Sequence, residues 1–244
     1  MKIEPLIWNQ DDDVLVAFSA KQAGLFPDDS IPGINLGLNT AEDRHRVWQK
    51  RELFLEKLGI SVSSVVFARQ IHSADVHYVS EPGTVDGVDG FVTDRPGLAL
   101  AIQVADCAAV FLADRTNGVI GAAHAGWKGA AGNIVINTVT MMQSKGALPE
   151  NMRAWISPCI GATRFEVGEE VAGQFPADFV LRTGFQKPHI DLKGFVQSQL
   201  LHCGLAGDRI YTNTGCTYDD SEQFYSYRRE KDKAGRMMGL IMMR

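Results

Sequence analysis

An α+β fold of layered, mixed β-sheets flanked by helices is what this sequence predicts, and three observations lead to it. Strand-like runs outnumber helical ones, the two kinds do not alternate as a doubly wound sheet requires, and the middle of the chain is continuously apolar, as strands buried on both faces are. The 244 residues, 45% hydrophobic and 22% charged, supply a sizeable core and exclude a disordered, collagen-like or coiled-coil chain. There is no internal repeat, low-complexity tract or long Pro/Gly/Ser linker, so residues 1–244 read as one compact domain.

Thr40-Ala41-Glu42-Asp43 has the shape of a capping box, and Val47, Phe54 and Leu58 recur at helical spacing until Gly59 ends the pattern. Residues 65–68 and 76–79 read as short strands on either side of a polar segment, 69–75. Three apolar runs follow, at 98–102, 104–107 and 109–113. Asn117-Gly118 marks a hairpin, because both residues tolerate positive φ, and 119–124 returns as the paired strand. Val135, Thr138, Val139 and Met142 form the inner side of a helix expected over 130–144. Ser157-Pro158-Cys159-Ile160-Gly161 and Phe165-Glu166-Val167-Gly168 suggest a tight turn entering a short helix with Glu169 and Glu170 in its first turn. Leu192, Phe195, Val196, Leu200 and Leu201 predict a helix starting at Asp191, and residues 237–243 a buried last strand.

The charge balance, 24 Lys and Arg against 29 Asp and Glu, gives −5 and a pI near 5.7, with no clustered basic run. A nucleic-acid partner is therefore not expected. No apolar run approaches the ~18 residues of a membrane span, and Met1-Lys2-Ile3-Glu4-Pro5 does not open a secretory signal. The expectation is a cytoplasmic chain with no membrane partner. Cys107, Cys159, Cys203 and Cys216 are too few and too irregularly spaced for a disulfide framework, so reduced thiols are expected.

Asp106-Cys107 interrupts the most apolar segment, where a carboxylate is costly unless paired, hydrogen-bonded or near a metal. Either Asp106 caps a turn while Cys107 packs as a small hydrophobe, or Cys107 is a thiolate ligand or nucleophile. The hairpin register brings His124 toward Cys107, just before the small-residue turn Ala125-Gly126. His72, in the polar loop with Gln70 and Asp75, is the third member of a His/Cys/His set that suits zinc with one tetrahedral position open. Spacings of 35 and 17 residues match no local zinc motif. His45, His77, His189 and His202 read as structural or solvent-facing. Ser226-Tyr227-Arg228-Arg229, with Arg236 behind it, offers guanidinium donors for phosphate and an aromatic face for a base, or else a solvated cluster beside the last strand.

Taken in order, these segments resemble the YfiH or laccase-domain family, associated with purine nucleoside phosphorylase activity. The matching pieces are Ile34-Asn35-Leu36-Gly37, Arg51, Gln70-Ile71-His72, Ala105-Asp106-Cys107, His124-Ala125-Gly126-Trp127, Pro158-Cys159-Ile160-Gly161, Phe165-Glu166-Val167-Gly168, Cys216-Thr217, Ser226-Tyr227-Arg228-Arg229 and Gly235-Arg236. The resemblance implies a layered αββα fold and a catalytic zinc ion on His72, Cys107 and His124. It implies phosphorolysis of adenosine, inosine, guanosine or methylthioadenosine to base and ribose 1-phosphate, with adenosine deamination attributed to the same family. Purine nucleoside and inorganic phosphate are the expected partners. Asp106, Arg51, Arg228 and Arg229 are the expected catalytic groups, and Asn35, Gln70, Lys128 and Tyr227 the expected substrate contacts. The chain departs from the family at Lys128 and Lys50, where arginine and asparagine are usual, at Ala108, where proline is common, and over 19–24, which lacks a Thr-Arg pair and a double glycine. A metal-free cysteine hydrolase using Cys107 and His124 and a non-catalytic nucleoside-binding protein are the competing readings. Copper oxidation is disfavoured, since a laccase needs more copper ligands than six histidines supply.

Overall fold

The computed structural model describes residues 3–10 and 13–244; Met1 and Lys2, part of the segment read against a secretory signal, lie outside them. Most of the strands fall into two six-stranded sheets. The first runs β1 (Leu6–Gln10), β2 (Val14–Phe18), β14 (Met237–Met243), β7 (Ala99–Val104), β3 (Val65–Arg69) and β5 (Gly83–Asp86). The second runs β13 (Ile210–Thr212), β10 (Met152–Ile156), β8 (Ala108–Asp114), β9 (Val119–Ala125), β6 (Gly90–Thr93) and β4 (Val76–Tyr78). A two-stranded ribbon, β11 (Val180–Leu181) with β12 (His189–Ile190), stands apart. The helices are α1 (Arg44–Lys57), α2 (Trp127–Ala131), α3 (Ile134–Ser144), α4 (Glu169–Ala172), α5 (Leu192–His202) and α6 (Tyr227–Glu230).

Strand alternation explains the layering. Val16, Phe18, Leu100 and Ile102 of the first sheet meet Ala109, Phe111, Ile120 and Ala122 of the second in one buried cluster. The intervening residues Leu15, Ala17, Ala99 and Ala101 face outward onto Phe54 and Leu55 of α1. Val110, Leu112 and Ala123 pack under Val135, Val139 and Met142 of α3 and Val196 and Leu200 of α5. Each sheet is thus covered on both faces, which is why the central runs are apolar without interruption. The order helix, sheet, sheet, helix is the α+β layering anticipated from the sequence. Burial of each large aliphatic or aromatic side chain contributes about 1.5–3 kcal/mol.

Several local details differ from expectation. Asp43, rather than Thr40, caps α1 by accepting from the Arg46 amide (3.0 Å), while the Thr40 hydroxyl donates to the Gly37 carbonyl (2.9 Å). The run at 98–102 lies in β7, which ends at Val104, and residues 105–107 are a bend rather than a strand. The helix expected over 130–144 is two helices, broken where Asn133 takes φ +67°. In the β8–β9 hairpin Asp114 pairs with Val119, leaving a four-residue loop in which Gly118, and not Asn117, has positive φ.

The chain changes sheets in a way that builds the site. β7, β3 and β5 are mutually parallel neighbours, so their C-terminal ends share one edge of the first sheet. From that edge the chain crosses to the second sheet as β3 to β4, β5 to β6 and β7 to β8. β9, antiparallel to β8, returns to the same end.

Candidate metal centre and its cavity

Each crossover delivers one polar residue. His72 lies in the β3–β4 crossover, Asp89 in β5–β6 and Cys107 in β7–β8, and His124 sits at the end of β9, paired with Ala109. One donor atom from each of His72, Cys107 and His124 lies within 4.8 Å of the others. The two imidazoles meet edge to face, with centroids 4.8 Å apart.

Asp89 organises this cluster. It is fully buried, and its carboxylate accepts from three successive amides, Ile71 (3.1 Å), His72 (3.0 Å) and Ser73 (2.7 Å), and from the Ser73 hydroxyl (3.0 Å). That nest of amides holds His72 at φ +64°, a conformation a non-glycine residue adopts only when its surroundings impose it. Asp89 also bonds His124 Nδ1 at 2.7 Å, which leaves Nε2 as the free donor of that ring. Burial alone would raise the Asp89 pKa, but His124 and the amides outweigh it and hold it near 2.

Burial likewise opposes ionisation of Cys107, yet the neighbouring His124 and His72 bring its thiol down to about 6. His124 is raised by the Cys107 sulfur and Asp89 against its own desolvation. Cys107 is therefore poised as a thiolate, the form that binds metals.

The residues fit an ion. A thiolate and two imidazoles are a donor set that zinc takes, with one tetrahedral position left for water or substrate. Gly126 makes room for the cluster: a Cβ there would stand 2.8 Å from Cys107 Sγ and 3.3 Å from His72 Cδ2. Among the described residues no other group of three or more His, Cys, Asp or Glu side chains converges in this way.

The cluster forms part of the wall of a cavity of about 1060 Å³. A family model described as multi-copper polyphenol oxidoreductase laccase matches residues 16–244. The chain belongs to this family. It is similar to a Deinococcus radiodurans protein named purine nucleoside phosphorylase, 39% identical over 214 residues that cover 86% of this chain and 81% of the relative. It is also similar to a protein of an unknown prokaryotic organism named adenosine deaminase RL5, 29% identical over 255 residues and covering 97% of each chain. The crystal structure of a Bacillus licheniformis hypothetical protein, YfiH, matches with TM-score 0.88 at 29% identity, over 95% of this chain and 93% of that one. The resemblance seen in the sequence motifs is borne out. Among the described residues no helix is long and apolar enough to cross a membrane.

Within this laccase-family chain the remaining expected site residues divide. Arg51, Gln70, Asp106, Tyr227 and Arg228 line the cavity; Asn35, Lys128 and Arg229 do not. Asn35 is fully buried and spends its amide on Thr40, Glu42, Gly37 and the Arg236 backbone. Lys128 is exposed, with its ammonium 5.5 Å from the Trp127 ring. The Arg229 guanidinium donates to the carbonyls of Thr217, Tyr218 and Phe224 and to Glu230, so it staples loops together. Gln70 exchanges two bonds with the Gln103 backbone, extending the β3–β7 ladder toward the cavity.

Asp106, at φ +83°, accepts from the Thr217 hydroxyl (2.7 Å) and the Arg228 amide (2.6 Å), tying α6 to the bend that carries Cys107. Asp89 escaped sequence reasoning as a site residue, whereas Arg236, noted behind the Ser-Tyr-Arg-Arg segment, lines the cavity. A carboxylate set directly before the run 90–93 was the available signal for Asp89.

Proposed function

We propose that this chain is a zinc-dependent purine nucleoside phosphorylase, cleaving adenosine, inosine, guanosine or methylthioadenosine to the free base and ribose 1-phosphate, with residues 1–244 acting as one catalytic domain. The observation that carries the reading is the convergence of a thiolate and two imidazoles, braced by a buried carboxylate, on the wall of a nucleoside-sized cavity. The relative named purine nucleoside phosphorylase supports it.

His72, Cys107 and His124 would hold a zinc ion, which would supply Lewis acidity to the cavity they line. The chain's own groups do the rest. Asp89 fixes the His124 tautomer so that Nε2 faces the cluster. The exposed Tyr227 ring offers a face on which a purine stacks. Asp106, holding the Arg228 amide and Thr217, keeps α6 against the metal end. Phosphorolysis needs the phosphate held against a ribose whose glycosidic bond is breaking, so orientation is the larger share of the task.

Adenosine deamination at the same centre is the second reading, favoured by the relative named adenosine deaminase. Multicopper oxidation is not: it requires further ligand clusters than the one found among the described residues. The four free cysteines support a reducing, cytoplasmic setting.

The test is base release from the four nucleosides with and without phosphate, ammonia release from adenosine, and elemental analysis of freshly purified protein. Phosphate-dependent base release with about one zinc per chain is expected. His72→Ala, Cys107→Ala and His124→Ala each abolish zinc retention and base release together; full activity in zinc-free Cys107→Ala protein overturns the assignment. Activity without any metal in the native protein favours the cysteine hydrolase. Zinc with no base release from any purine nucleoside favours a binding protein.

A further inference from the structure

We propose that Cys159 and Cys216 form a thiol modification site, which a low-molecular-weight disulfide oxidises to an intramolecular disulfide that staples together the two segments holding Asp106. The assignment does not rest on the nucleoside reading.

The segments Pro158-Cys159-Ile160-Gly161 and Cys216-Thr217 each contain a cysteine that belongs neither to the His72/Cys107/His124 cluster nor to the lining of the cavity. The fold sets these two cysteines side by side. They are partners in an isolated parallel β-bridge, which resumes the parallel pairing of β10 with β13 beyond its end at Ile156 and Thr212. The Thr217 amide, donating to the Cys159 carbonyl (3.1 Å), holds the bridge. Partners across a bridge stand about 4.8 Å apart and direct their Cβ atoms to the same face, and disulfides span Cα separations of about 4.4–6.8 Å. Closure therefore needs side-chain rotation rather than movement of the backbone.

Neither sulfur is tied down by a strong partner. Both thiols are free, and Cys159 Sγ meets the Ile160 carbonyl at 3.7 Å, a weak bond. Gly161 lies against Cys216: its amide donates to Sγ at 3.2 Å, and a Cβ there would stand 3.1 Å from that sulfur. The two thiols differ in access. Cys159 is fully buried, and burial pushes its thiol up to about 12 against the pull of Lys193. Cys216 is half-buried. Cys216 is thus the sulfur that a small disulfide meets first, and Cys159 the one that resolves the adduct.

The Cys216 sulfur, giving its proton to solvent, attacks one sulfur of the small disulfide and expels the other as a thiolate. The Cys159 sulfur, also deprotonated, then displaces the remaining small thiolate from Cys216. Overall one S–S bond forms between the cysteines and one breaks in the oxidant; two protein thiols are oxidised and the small disulfide is reduced to two thiols.

The staple reaches the metal end of the cavity. Each cysteine directly precedes a residue that holds Asp106: the Ile160 amide donates to the Asp106 carbonyl (2.9 Å), and the Thr217 hydroxyl to its carboxylate (2.7 Å). Asp106, at φ +83°, leads straight into Cys107.

The test is incubation of the native protein, freed of reductant, with excess oxidised glutathione, followed by acid quenching, alkylation and non-reducing peptide mass mapping. A Cys159–Cys216 linked peptide is expected, reversed by dithiothreitol, with a thermal midpoint about 5–10 °C above that of the reduced protein because the unfolded chain is cross-linked. Cys159→Ser is expected to stop at a glutathione adduct on Cys216, and Cys216→Ser to leave Cys159 unmodified; should either variant fail to fold, the wild-type map decides alone. Cys216 still fully alkylated after oxidant, a wild-type adduct on Cys216 that never closes, or linked peptides joining other cysteines overturn the site. A midpoint that falls on closure shows that the native backbone does not bring the two sulfurs together, and overturns the staple equally.

Discussion

Asp89→Asn is the perturbation that tests the metal centre most sharply, because it preserves size and removes one charge. The two carboxylate oxygens divide their work: Oδ1 serves His124 Nδ1 and the His72 amide, and Oδ2 serves the Ile71 and Ser73 amides and the Ser73 hydroxyl. An asparagine has one accepting oxygen, so its NH2 must face one of these donor sets. Facing Oδ2's set leaves two amides opposed by a donor. The lesser conflict turns the NH2 toward His124, whose Nδ1 then has to accept. The ring proton moves to Nε2, the atom that faces the cluster, and that lone pair is lost to the metal. A disturbed ligand orientation of this kind costs about 10- to 100-fold in metal affinity, or ~1.4–2.7 kcal/mol. Competition with a chromophoric zinc chelator measures it, with circular dichroism confirming an intact fold. A folded Asp89→Asn protein that binds zinc at wild-type affinity and stoichiometry refutes the tautomer argument.

Other outcomes follow from neighbouring contacts. Gly126→Ala needs no unusual backbone, since φ is −76°, and its Cβ presses on Cys107 Sγ and His72 Cδ2; zinc per chain falls well below one while the thermal midpoint barely moves, and full zinc content contradicts this. Lys50→Met strands Glu42 and Asp29 without their shared cation and lowers unfolding free energy by about 3–5 kcal/mol in urea titrations; a loss under 1 kcal/mol shows that the pair is not coupled to folding. Burial raises the Asp29 pKa, but Lys50 and Arg46 overcome it and hold the group below 3.8. Its carboxylate therefore stabilises the fold above about pH 4, and that contribution disappears as pH falls through the lowered value. Asp29→Asn is expected to flatten the stability curve below about pH 4, and an unchanged acid slope rules the linkage out.

The layers were legible because burial on both faces leaves a plain mark: the central strands have no polar phase, and the helices of the outer layers keep Val135, Val139 and Met142, or Phe195, Val196 and Leu200, at helical spacing. The β1–β2 pair was missed because no Asn-Gly signal like that of β8–β9 joins the two runs in the sequence. The break at Asn133 was missed because a left-handed residue there is secured by tertiary contact, the Gln199 amide donating to both Ala130 and Asn133. Cys107 and His124 were legible through one hairpin register. Asn35, Lys128 and Arg229 illustrate the opposite limit: a sequence motif carries a residue's presence, and only the fold decides whether its side chain faces the cavity or holds the wall.

The separation of the ligands has a structural cause. His72, Asp89, Cys107 and His124 follow one another at intervals of 17, 18 and 17 residues. The first two intervals are each one excursion of the chain, out along a strand of the second sheet and back along a strand of the first, between crossovers at the same edge; the third is the β8–β9 hairpin, which returns to that edge within the second sheet alone. Strand length therefore sets the spacing, and no local loop motif is needed to gather a thiolate and two imidazoles. It also explains why Asp89 sits among them: it occupies in its crossover the place that His72 and Cys107 occupy in theirs. An insertion or deletion of one residue within β5 or β6 shifts the register of Asp89 without touching any metal ligand, and zinc affinity should fall about as far as in Asp89→Asn, whereas the same change in the exposed loop at residues 115–118 should leave it intact.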